Sequence, residues 1–191
     1  SSGNFPCCAL CPKFCLSWYD VRQMVAMVLF AFFLYFPYAW CALRGESPAW
    51  YGLHWRLSGA AARDVAIVSI GTLVPLTFIS CAFFSQSLPA HAGGQVFAGI
   101  LSGLAAAVAE ETFFRGWVQS ILSRRMSAWG SILLASALFG LAHVFRSPAA
   151  MLAFFPGLFM GFLRHRHASV LPAILFHWVG NIWSIWFYPY L

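Results

Sequence analysis

The feature that most constrains this chain is a succession of apolar stretches near membrane-crossing length, separated by short polar loops. They occupy residues 21–42, 65–84, 96–118, 128–145, 149–163 and 169–186. A helix rising ~1.5 Å per residue needs about 20 residues to cross the ~30 Å hydrocarbon layer, and it satisfies its own backbone hydrogen bonds there. The expectation is an all-α fold, a polytopic transmembrane bundle of about six helices. The fifth stretch is short for a crossing, which suits a tilted or partly re-entrant helix. Pro37, Pro75 and Pro156 fall inside stretches, where neighbouring helices can re-satisfy the freed carbonyls, and they predict kinks.

Composition excludes the soluble alternatives. Of 191 residues, 61% are hydrophobic and only 8% are charged, whereas soluble domains carry about a quarter charged residues. The formal charge of +6 does not indicate nucleic acid, because the basic residues stand singly or in pairs between apolar runs, as juxtamembrane anchors do. The expected partners are the lipid bilayer and a membrane-embedded or lipid-anchored protein substrate. The expected location is a cell membrane, crossed several times.

With six crossings, the first, third and fifth loops share one side. They hold Arg44, Arg56, Arg63, Arg124, Arg125, Arg164 and Arg166, while the other side holds Lys13, Arg22 and Arg146. The positive-inside rule places the arginine-rich loops in the cytoplasm. Trp and Tyr near the stretch ends, among them Trp50, Tyr51, Trp183, Trp186, Tyr188 and Tyr190, read as interfacial anchors. Gly99 with Gly103, and Gly157 with Gly161, have the four-residue spacing that lets helices approach closely. Cys7, Cys8, Cys11 and Cys15 make residues 1–20 a Cys-rich juxtamembrane segment ahead of a single domain over 21–191. Their spacing leaves zinc binding, acylation, disulfides and idle thiols all open.

The chemistry is concentrated in a few ionisable residues at bilayer depth. Of five acidic residues, Glu110 and Glu111 alone sit well inside an apolar run, where a charge costs roughly 3 kcal/mol or more and a functional role is the default reading. Glu111 and Arg115 are i, i+4 with the acid first, the favourable order for a helical ion pair. Glu110 points about 100° away around the helix, free to act as a general base. The plainer alternative is one buried ionic cluster that holds helices together. His143 and His177 also lie within stretches, unlike His54, His91, His165 and His167. His177 and Asn181 share a helix face by their i, i+4 spacing, and Phe139 can pack on His143. A carboxylate, two imidazoles and an amide provide a base for water and donors for an oxyanion, as peptide hydrolysis requires.

The motifs Glu110-Glu111-Thr112-Phe113-Phe114-Arg115, Phe139 to His143 and His177 to Asn181 resemble, in order, the EExxxR, FxxxH and HxxxN motifs of the CPBP family of intramembrane proteases. This family is also called CAAX protease or Abi. The resemblance covers roughly residues 95 to 185. It implies an intramembrane endopeptidase, of glutamic type or under a metalloprotease label, that cuts a membrane-associated protein or its C-terminal processing or sorting segment. It further implies that Glu110 activates water, that His143, His177 and Asn181 position that water and stabilise the oxyanion, and that Glu111, Arg115 and Phe139 support them. The expected mechanism needs no metal or other cofactor. Zinc is the competing possibility, since Glu and two His can ligate it, although the HExxH helix of zinc proteases is absent. A non-catalytic binding or bacteriocin-immunity protein on the same scaffold is the non-enzymatic alternative. A proton-coupled transporter would call for structural repeats, and the sequence shows none.

Overall fold

The computed structural model describes residues 18–84, 91–144 and 148–187. Cys7, Cys8, Cys11 and Cys15, together with Tyr188 and Tyr190, lie outside the described residues. Those described are helices joined by short loops, with no strand among them. Helix α1 is Trp18–Arg44, α2 is Gly59–Phe84 and α3 is Gly93–Glu111. The chain runs on from α3 without a break through a π-helical segment, Thr112–Val118, into the short α4, Gln119–Ser123. Then come α5 (Ala128–His143), α6 (Phe154–His167) and α7 (Leu171–Phe187), with 3₁₀ turns at Pro48–Tyr51 and Pro148–Ala153.

Among the described residues, three spans are long and apolar enough to cross a membrane: Gln23–Arg44, Gly59–Ala82 and Gly93–Ser123. Their outer faces carry exposed Val28, Ile67 and Phe97, which suit contact with lipid. Helices α5, α6 and α7 are shorter, at 16, 14 and 17 residues. The chain is a multi-pass membrane protein built as an all-α bundle.

Helix α2 begins at Gly59 rather than at residue 65, and two further differences from the sequence expectation bear on the site. The third stretch does not stop near residue 118 but continues to Ser123 through the π-helical turns, because Gln119 and Ser120 are buried and bonded inside the bundle rather than exposed at a loop. The fifth stretch divides into the 3₁₀ turn and α6, whose last turn takes in Arg164, His165, Arg166 and His167. Basic side chains suit a helix C-terminus, where the carbonyl dipoles converge. Ala168 then ends α6 with a left-handed φ of 49°.

The paired glycines sit where helices touch most closely. A Cβ on Gly99 would meet Ile185 at 3.2 Å, and one on Gly103 would meet the Asn181 Cβ at 3.0 Å, so α3 seats against α7 through this pair. Gly157 and Gly161 let α6 approach Arg115, Ser136, Gln119 and Ile132, with contacts of 2.9 to 3.2 Å awaiting an added Cβ. Two apolar clusters fill the interior. Phe114, Phe139, Met160, Leu163 and Phe176 form one, and Tyr51, Leu53, Ala107, Val170 and Ile174 form the other.

The three arginine-rich loops meet at one end of the bundle. Arg124 bonds Glu46 at 3.1 Å, Arg166 bonds Asp64 at 2.6 Å, the Val170 amide donates to the Gly52 carbonyl at 2.9 Å, and Ser169 Oγ donates to the His54 carbonyl at 3.0 Å. This places on one side the loops that the charge count groups together. The end of α4 and the turn between α6 and α7 are therefore fixed at that end, and α7 carries His177 inward from it.

Candidate active site

Glu110 and Glu111 occupy the last turn of α3, where the helix passes into its π-helical segment. Single-turn π geometry inside an α-helix is uncommon and recurs at functional sites. The consecutive glutamates point in different directions, and the structure separates them by environment. Glu111 is fully buried, whereas the Glu110 side chain keeps 23% of its surface exposed.

Glu111 is the anchor of a buried polar knot. Its Oε1 accepts from Arg115 Nη1 at 3.1 Å and lies 2.9 Å from His177 Nδ1, a distance at which the imidazole donates to the carboxylate. Arg115 is itself fully buried and donates from Nη2 to the Gly157 carbonyl at 3.1 Å on α6. Its guanidinium also lies over the Phe139 ring, 4.2 Å from the centroid. A cation taken out of water requires this many partners, and removing any one of them leaves a charge in lipid. The sequence pairs Glu111 with Arg115 but gives no sign that Glu111 also holds His177, or that the Gly157 carbonyl completes the knot.

Phe139 sits at the centre of the site on α5. Its ring is 4.4 Å from that of His143 and 5.8 Å, edge to face, from that of His177. His143, the last residue of α5, keeps Nδ1 2.8 Å from the Phe139 carbonyl. A carbonyl only accepts, so the proton belongs on His143 Nδ1, and the same reasoning puts a proton on His177 Nδ1 facing Glu111. Both rings consequently present Nε2 toward the remaining glutamate.

These Nε2 atoms converge on one oxygen. His143 Nε2 is 3.7 Å and His177 Nε2 is 3.9 Å from Glu110 Oε2, and Glu110 Oε2 has no hydrogen-bond partner within the protein. The separations are too long for direct hydrogen bonds. The three groups therefore face a common space rather than one another. Among the described residues, no group of three or more His, Cys, Asp or Glu side chains is arranged to hold a metal ion.

Asn181 is on the same face of α7 as His177, but its amide is directed elsewhere. Nδ2 donates to the Gly103 carbonyl at 3.0 Å, two helical turns before Glu110 on α3. The remaining histidines stand apart from the site. His91 lies 2.9 Å from the Ile185 carbonyl, and His167 pairs with Asp64 at 3.2 Å.

Residues 92–183 match a family model described as Rce1-like, type II CAAX prenyl endopeptidase Rce1-like. The match takes in Glu110, Glu111, Arg115, Phe139, His143, His177 and Asn181 and leaves out α1 and α2. No curated protein and no solved structure matches the chain.

Proposed function

We propose that this chain, whose residues 92–183 match the type II CAAX prenyl endopeptidase Rce1-like model, is an intramembrane endopeptidase of the CAAX protease (CPBP) family and of the glutamic type. Its substrate is a membrane-associated protein cut near its C-terminal processing or sorting segment. The observation that carries this reading is the convergence of His143 Nε2 and His177 Nε2 on Glu110 Oε2, with both Nδ1 atoms already engaged.

The chemistry follows from what each atom can accept or donate. Glu110, ionised and partly open, takes a proton from a water held between its carboxylate and the imidazoles, and the resulting hydroxide attacks the scissile carbonyl. The two imidazoles have fixed orientations because their Nδ1 protons are committed to Phe139 and Glu111. A ring that enters the cycle as imidazolium keeps its Nε2 proton throughout, donating it only as a hydrogen bond to the tetrahedral oxyanion, and Glu111 stabilises that form of His177. Glu110 then delivers its proton to the leaving amine, which closes the proton balance. Asn181 serves the site from the seam between α3 and α7, and its amide leaves the Gly103 carbonyl when it donates to the oxyanion. Arg115 pairs with Glu111 and so acts through another residue. No step in this proposal passes through a metal.

Glu110→Gln tests the assignment. The amide preserves shape but cannot accept the proton, so cleavage of a membrane-anchored reporter should fall by at least about a hundredfold, with unchanged thermal unfolding of the purified protein. Undiminished cleavage by that variant would remove Glu110 from the mechanism.

A further inference from the structure

The end of the bundle where the arginine-rich loops meet holds a cation that the protease chemistry does not use. Two acids lie at that end, and both are engaged. Glu46 is bonded to Arg124 and paired with Arg44, and Asp64 is bonded to Arg63, Arg166 and His167. Arg164, at the end of α6, has no carboxylate partner among the described residues. Its Nη2 donates to the Ser120 hydroxyl at 2.5 Å, and its Nε is buried with no partner in the protein.

The surroundings fix this guanidinium in place. Gly52 adopts a left-handed φ of 67°, and a Cβ there would lie 3.3 Å from both Nε and Nη2 of Arg164, so the loop backbone covers one flank. Ser120 covers another, held by the Tyr51 carbonyl at 3.3 Å. Arg164 as a whole residue is nonetheless only partly buried. A partly desolvated guanidinium without a counter-charge is unfavourable, and its planar fork matches the oxygens of a phosphate.

The neighbouring side chains indicate where that phosphate comes from. Trp50, Trp55 and Trp129 are exposed at 69%, 55% and 64% on the same loop end, and exposed indoles of a membrane protein sit at headgroup depth. Arg56 and Arg125 are exposed there too, with no ion pair among the described residues. Indoles interleaved with unpaired arginines are suited to an anionic leaflet surface.

We propose that Arg164, seated by Ser120 and Gly52, with Arg56 and Arg125 exposed on loops at the same end of the bundle, binds the phosphate of an anionic phospholipid headgroup. The lipid would tie α6 to α4 and to the 45–58 loop.

The test uses the full chain purified in detergent, with readouts independent of proteolysis. Phosphatidylglycerol, phosphatidylcholine with the same acyl chains, and inorganic phosphate are each titrated while thermal unfolding and lipid retention by native mass spectrometry are followed. Saturable binding of phosphatidylglycerol is expected, with at least a tenfold preference over phosphatidylcholine. R56Q/R125Q should weaken the preference several-fold, and R164Q should remove it. Should R164Q fail to fold, R164K keeps the charge but loses the fork, and its preference should fall. Equal binding of the two lipids would overturn the proposal. So would inorganic phosphate stabilising the chain as well as phosphatidylglycerol does, which would mark a free-anion site. A preference unchanged in R164Q or R164K would overturn it as well, since it would leave only diffuse surface charge.

Discussion

His177 Nδ1 lies 2.9 Å from Glu111 Oε1, the same oxygen that accepts from Arg115 at 3.1 Å. The second glutamate of the pair therefore orients a histidine while being neutralised by an arginine one turn along its own helix. The adjacent glutamates divide the work. Glu111 fixes the site, and Glu110 faces the space where the reaction is proposed to occur.

Arg115→Ala should destabilise the protein strongly, by about 3–5 kcal/mol, because it strands a buried carboxylate. It should also reduce activity by releasing His177 from its orientation. Arg115→Lys keeps a charge but cannot bond Glu111, cover Phe139 and reach the Gly157 carbonyl together, so it should fall between wild type and alanine. Thermal unfolding in detergent, measured alongside cleavage, checks this order. Loss of activity with wild-type stability in Arg115→Ala would instead give the guanidinium a direct part in catalysis.

Gly103→Ala should be more damaging than Gly99→Ala, although both glycines belong to one motif. The added methyl at 103 meets the Asn181 Cβ at 3.0 Å, next to the backbone of α7, whereas at 99 it meets the flexible end of Ile185 at 3.2 Å. Overpacking of the first kind costs about 1–3 kcal/mol. It should also lower kcat, because it pushes away the helix that carries His177. Equal stability and kcat for the two variants would contradict the proposed role of this seam.

Acid should weaken the clasp at the loop end within a defined window. Bonds from Arg124, and next the Tyr51 hydroxyl, hold the Glu46 carboxyl down at about 2 from its ordinary 4.5. A depressed folded-state value means stability that is fully present above 4.5 and lost as pH falls from there toward 2. The difference in Tm between wild type and Glu46→Gln should thus be constant above pH 5 and shrink as the solution is acidified through that window. A difference independent of pH would remove Glu46 as its source.

Exhaustive dialysis against a strong chelator should leave proteolysis intact, since the proposed mechanism uses only Glu110, the two histidines and water. Activity that disappears on dialysis and returns with added zinc would replace the glutamate mechanism with a metal-dependent one on the same residues.

The segmentation into apolar helices was legible from length and hydropathy alone, because lipid forces each crossing to satisfy its backbone internally. The Glu111–Arg115 pair was equally legible, since i, i+4 spacing is a local property of a helix. The glycine pairs announced close packing without naming the partner, and the partners, Asn181 and Ile185 for one pair and Arg115, Ser136, Gln119 and Ile132 for the other, come from distant parts of the chain. Asn181 shows the limit of spacing arguments. Its position one turn after His177 placed it on the correct face, but the carbonyl that its amide meets belongs to α3.

What the sequence determined by itself was the set of elements and the chemical inventory at bilayer depth, because burial in lipid and helical periodicity act within one segment at a time. What only the tertiary structure decided was the assignment of partners: Glu111 to His177, Arg115 to the Gly157 carbonyl and Phe139 ring, and two Nε2 atoms to a single oxygen of Glu110. Those pairings depend on how α3, α5, α6 and α7 are rotated and staggered against one another. That arrangement is set by side-chain packing at the glycine seams and by the π-helical turns after Glu111, which no local pattern in the sequence encodes.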